Sequence, residues 1–90
     1  MSAEVPEDVR STLIQLSTEA AERARDGNRE AVLQILGTIE TVARNKLPAG
    51  DLQDRLLHGC TAVRQVAGHE PLVAAEYLDS MAAILATSNE

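Results

Sequence analysis

Few side chains in this sequence have chemistry to offer. His58 and His69 are the only histidines, and Cys60 is the only cysteine. His58 stands four residues after Asp54, a spacing that brings both side chains to one helix face. The sharpest chemistry available is phosphoryl transfer, with His58 as a surface phosphoacceptor. The plainer reading is a solvated helix-surface histidine paired with Asp54. Cys60 falls near the centre of an apolar stripe, where a thiol packs as a small hydrophobe. Its neighbour His58 points to another side of the helix and is a poor activating base. A buried, inert thiol is expected. A single cysteine also excludes an intrachain disulfide and cannot by itself build a zinc site.

The larger motifs are missing. The sequence has no Gly-rich phosphate loop, no Cys-x-x-Cys, no His-Glu-x-x-His and no Gly-x-Ser-x-Gly. Carboxylates are plentiful, but Glu19, Glu22, Glu30, Glu40, Glu70, Glu76 and Asp79 fall mostly outside the apolar stripes. No Glu-x-x-His pair of the di-iron bundle type occurs. They read as a solvated acidic face. Arg23, Arg25 and Arg29 alternate with Glu22, Asp26 and Glu30, which makes mixed surface ion pairs rather than a phosphate patch. No catalytic residues, no metal, no cofactor and no small-molecule ligand are therefore expected.

The elements that must position these residues follow from composition and punctuation. Ninety residues allow one small domain with a modest core. Fourteen Asp plus Glu against eight Lys plus Arg give a formal charge of −6, which disfavours nucleic acid or an anionic membrane as partner. No apolar run approaches a membrane span, and the start shows no secretory signal, so a cytoplasmic setting is expected. Alanine and leucine supply most of the apolar content, and both are strong helix formers. Pro6, Asp26-Gly27-Asn28, Lys46-Leu47-Pro48-Ala49-Gly50 and Gly68-His69-Glu70-Pro71 divide the chain into four parts. Asp51 is the expected N-cap of the third helix, and Gly68 its left-handed C-cap.

Four helices result, near 6–25, 29–45, 51–67 and 71–86, with residues 87–90 frayed. Apolar residues recur at helical spacing in each: Val9, Leu13, Leu16, Ala20 and Ala24 in the first, Val32, Ile35, Leu36, Ile39, Val42 and Ala43 in the second. The third carries Leu52, Leu56, Cys60, Val63 and Ala67. Short connections make consecutive helices antiparallel neighbours. The predicted fold is all-α, an antiparallel four-helix bundle built from two helical hairpins. Its expected core holds Leu13, Leu16, Val32, Ile35, Ile39, Val42, Leu52, Leu56, Cys60, Val63, Leu78, Met81 and Leu85. A faint 42-residue offset relates the second and fourth helices, without amounting to a repeat array.

The fourth helix is the unusual one. Ala74, Leu78, Met81 and Leu85 form one stripe, with Val73, Tyr77 and Ile84 beside it. Together they cover more circumference than a one-sided surface helix needs. Either the helix is deeply buried or one flank meets another chain. Val73, Tyr77 and Ile84, with Ile14 and Leu33 on other helices, are the candidate interface residues. Tyr77 is the only aromatic residue of the sequence.

The run Asn45-Lys-Leu-Pro-Ala-Gly-Asp-Leu-Gln-Asp-Arg-Leu-Leu-His-Gly-Cys60, with Ala74-Ala75-Glu76-Tyr77-Leu78 and the opening Val5-Pro6-Glu7-Asp8-Val9-Arg10, resembles small uncharacterised helical proteins of haloarchaea. The resemblance spans most of the chain and implies a cytosolic archaeal protein, with no known activity. Histidine-phosphotransfer domains place a lysine and a glycine three and four residues after the histidine, where this sequence has Thr61 and Ala62. A helix-turn-helix reading of the Pro48-Ala49-Gly50 turn starts its recognition helix with Asp51 and Asp54, acidic where phosphates would lie. The function expected is a non-catalytic protein–protein interaction module. It would bind a protein partner or itself, with a C2 homodimer as the default.

Overall fold

The chain punctuates itself as its turn residues dictate. The computed structural model describes residues 5–87, with helices α1 (Glu7–Arg25), α2 (Arg29–Lys46), α3 (Asp51–Val66) and α4 (Pro71–Thr87) and no strand among them. Pro6 caps α1 from outside with extended backbone, and Glu7 and Asp8 lie at the positive end of its dipole. At the other end Gly27 takes φ 76°, the left-handed conformation that glycine adopts without a Cβ penalty. The Asn28 N–H then donates to the Arg23 carbonyl at 2.9 Å. Asn28 turns the chain directly into α2, its side chain accepting the Ala31 N–H at 3.2 Å.

Two caps differ from expectation. Gly50, not Asp51, occupies the N-cap of α3, at φ 157° and ψ −164°. Asp51 is instead the first helical residue, its carboxylate at the dipole's positive end and 3.5 Å from Arg55. Gly68 is not left-handed; among the described residues only Gly27 and Gly50 have positive φ. The link after α3 keeps winding, and the Glu70 N–H reaches the Val66 carbonyl at 2.7 Å. Thr87 belongs to α4 rather than to a frayed tail, its hydroxyl donating to the Ala83 carbonyl at 3.0 Å. Residues 88–90 lie outside the described residues.

Each helix packs on its neighbours in the chain, and α1 closes the ring against α4 in the broadest contact of all. Both of those helices bring alanines to the core, Ala20, Ala21 and Ala24 from one and Ala74 and Ala75 from the other. Small side chains let the two backbones approach closely. This is the all-helical four-helix bundle that the stripes require. Leu13, Val32, Ile39, Leu56, Cys60, Val63, Leu78, Met81 and Leu85 are buried as expected.

Leu16, Ile35, Val42 and Leu52 correct the expected core: they are half-buried and pack against its edge. The buried line of α2 runs Val32, Leu36, Ile39, Ala43, so Leu36 takes the central place and its neighbour Ile35 the flank. In α1 the line runs through Ser17 and Ala21, which displaces Leu16 sideways. Leu47, in the α2–α3 link, is also buried. Gln53 holds that link, its amide donating to the Ala43 carbonyl at 3.0 Å and so satisfying the end of α2.

Ser17 is fully buried, and its hydroxyl has no hydrogen-bond partner among the described residues. An unsatisfied buried hydroxyl costs about 1–3 kcal/mol. Ser17→Ala removes that penalty and gains helix propensity. It should therefore stabilise the bundle by about 1 kcal/mol, raising Tm by about 4–8 °C. A fall in Tm in a thermal melt would show that the hydroxyl is engaged.

Candidate functional site

The site begins with a glycine in mid-helix. A Cβ on Gly59 of α3 would lie 2.9 Å from the Met81 sulfur of α4, so its bare backbone is what seats Met81 against α3. Beside that crossing lies a groove of about 640 Å³. Gly59, Ala62 and Met81 line it together with Tyr77 and Ile84 on the α4 wall. Asp54, Arg55 and His58 on α3 and Ser80 on α4 supply its polar groups. The cavity is within the size range of sites that take a ligand or a partner's side chains.

Four of the sequence's candidates meet on this face. Tyr77 is 43% exposed and Ile84 half-buried, both on the groove. Val73 lies next to them in a second hollow of about 320 Å³, which it shares with Glu76, Tyr77 and Ser80. His58 is exposed on the α3 wall, facing the same space. Ile14 and Leu33 are not part of this face. They sit half-buried on α1 and α2, packed against the core, because the bundle turns the flanks of those helices inward. No hydrogen bond or ion pair joins Asp54 to His58 among the described residues, so the expected pairing is not made; both remain open to water.

Cys60 is wholly buried, one residue beyond the groove floor but on the core side of α3. Burial pushes its thiol up to about 12, with the Glu40 carboxylate adding to the effect and Arg64 and Arg44 partly opposing it. At neutral pH it is a protonated, unreactive hydrophobe. Glu40 is held by Arg64 in an ion pair that ties α2 to α3, and Arg25 pairs with Asp79 to tie α1 to α4. Such surface pairs contribute about 0–1 kcal/mol each. Among the described residues no group of three or more His, Cys, Asp or Glu side chains is placed to hold a metal ion, and no helix is long and apolar enough to cross a membrane.

The sequence matches the family model of a domain of unknown function, DUF8101, over residues 1–87. The chain belongs to this family. No curated protein and no solved structure matches it. In this DUF8101 domain one large exposed hydrophobe escaped the reading of the sequence: Leu72, 65% exposed at the start of α4. It lies about 100° around the helix from Pro71 and away from Tyr77, on the α1 side. A singly exposed leucine is ordinary on a soluble surface. The signal that could have located the groove was Gly59, since a glycine within a helix lowers its stability by about 1 kcal/mol relative to alanine and needs a packing reason.

Proposed function

We propose that this DUF8101 chain is a non-catalytic helical protein–protein interaction module that associates with a second copy of itself through the outer flank of α4. The observation that carries the reading is Tyr77, the sequence's only aromatic side chain, left 43% exposed beside a groove floored by Met81. A tyrosine keeps a large rigid ring half in water at a cost that a partner removes, and tyrosine is enriched among interface anchors. The non-catalytic part rests on Cys60 being buried and protonated and on His58 having no orienting partner among the described residues. A cytoplasmic setting goes with the same reading.

Size-exclusion chromatography with light scattering tests it. The wild-type chain is expected to run as a dimer at micromolar concentration. Tyr77→Glu should give a folded monomer, since losing an interface anchor costs about 2 kcal/mol or more, roughly a 30-fold weaker Kd. A wild-type monomer at high concentration would return Tyr77 to the surface of a solitary bundle. One alternative keeps an observation of its own: His58 is exposed and faces a groove that a phosphodonor domain could enter. Acid-labile phosphate gained from a phosphodonor and lost in His58→Gln would replace the non-catalytic reading with phosphotransfer.

A further inference from the structure

On α4 the residues Val73, Tyr77, Ser80, Ile84 and Thr87 follow one another at steps of four, three, four and three. At 100° per residue they form a single stripe along the helix. Counted outward from Ser80, each direction meets a large side chain first, Tyr77 one way and Ile84 the other. The next step reaches a β-branched residue, Val73 or Thr87. The stripe thus reads nearly the same from either end, and its centre is a small exposed side chain. None of its five residues is charged, although the chain as a whole carries −6 and Glu76 borders the stripe in the hollow it shares with Val73, Tyr77 and Ser80. Asp54 and Arg55 stand at the edge of the same face with opposite signs.

We infer that two copies of this chain pair through α4 in antiparallel register, crossing at Ser80, with Tyr77 of each copy entering the α3–α4 groove of the other. This deepens the self-association proposed above and rests on it. An isologous two-fold contact needs a surface that complements its own reverse, and a near-palindromic stripe supplies one. Ser80 leaves room for the closest approach. Tyr77 of one copy then reaches the level of the second copy's Ile84, where the groove is walled by His58 and Arg55. Its ring meets Ile84 and its hydroxyl meets polar groups at the rim. The area suffices. The bundle measures 43 × 17 × 17 Å, so one long side is of the order of the ~800 Å² per partner of a standard interface.

Symmetric disulfide trapping decides the register. Ser80→Cys places one new thiol at the crossing, while native Cys60 stays buried and protonated. Leu72→Cys, exposed about two turns along α4 from Ser80 and about 80° around the helix from it, is the control. Under mild oxidation of the full chain, Ser80→Cys should form linked dimers at least about tenfold faster than Leu72→Cys, because the interface raises the effective thiol concentration. A wild-type dimer in light scattering whose Ser80→Cys variant links no faster than the control overturns the register alone. A wild-type chain that stays monomeric overturns the register together with self-association.

Discussion

A Leu78→Ala chain is expected to melt about 15–25 °C below wild type. Leu78 is fully buried at the middle of α4, the helix that packs on both α1 and α3. Truncating it removes the transfer free energy of the lost atoms and opens a cavity between those helices, together about 3–5 kcal/mol. A domain of this length is stable by only about 5–13 kcal/mol in all. The low end of that range would leave the variant largely unfolded at growth temperature. Its neighbours are alanines at Ala74 and Ala75, which have no rotamers with which to fill the gap. Leu72→Ala is the internal control: 65% exposed, it should move stability by less than about 0.5 kcal/mol. Helical circular dichroism followed through a thermal melt measures both. A Leu78→Ala loss below about 1 kcal/mol would mean that the centre of α4 is not packed between α1 and α3.

The helices were legible because strong local signals mark their ends. Gly27 and Asn28 can do little but stop one helix and start the next, and Pro48 and Pro71 leave helical geometry only on one side. Bounds in the sequence and in the structure accordingly agree to within about one residue. The core was harder to read, and the reason lies in the alanines. In α1 the buried line Leu13, Ser17, Ala20, Ala21, Ala24 contains one large side chain and one polar one. Hydrophobicity points to Leu16, yet the short residues are the ones that let α4 come close. Where two helices meet through small side chains, the apolar weight of a residue no longer marks the contact face.

The groove was legible by halves. Tyr77, Ile84 and Val73 stood out as a flank wider than a bundle helix requires, and the structure leaves that flank at the surface. Nothing in the sequence brings His58 to the same face, because that depends on which side of α3 packs on α4. Gly59 settles it: its missing side chain admits Met81, and Arg55, His58 and Ala62 of α3 become the opposite wall. Ile14 and Leu33 were grouped with the flank on exposure alone. The bundle's ring order places them on α1 and α2, half-buried against the core.

Raising the pH should destabilise the protein through Cys60. In the folded chain its thiol is pushed up to about 12 by burial first and by Glu40 second, while in the unfolded chain it ionises near 9.0. Below pH 9.0 both states hold the proton, and the thiol makes no pH-dependent difference. Between the two values the unfolded state releases its proton and the folded state keeps it. Stability must then fall as pH rises, by about 1.4 kcal/mol per unit from this group. Alkaline pH acts on more than one group of the chain, so the wild-type curve alone does not isolate the thiol. Cys60→Ala does. At neutral pH the variant gives up the packing of one sulfur in the core, about 1 kcal/mol. Above pH 9.0 it escapes the ionisation loss. The wild-type advantage in urea midpoint should therefore shrink steadily above pH 9.0 and change sign before about pH 11. A gap between the two chains that stays constant from pH 8 to about pH 11 would mean that folding leaves the thiol as ready to ionise as it is in the open chain.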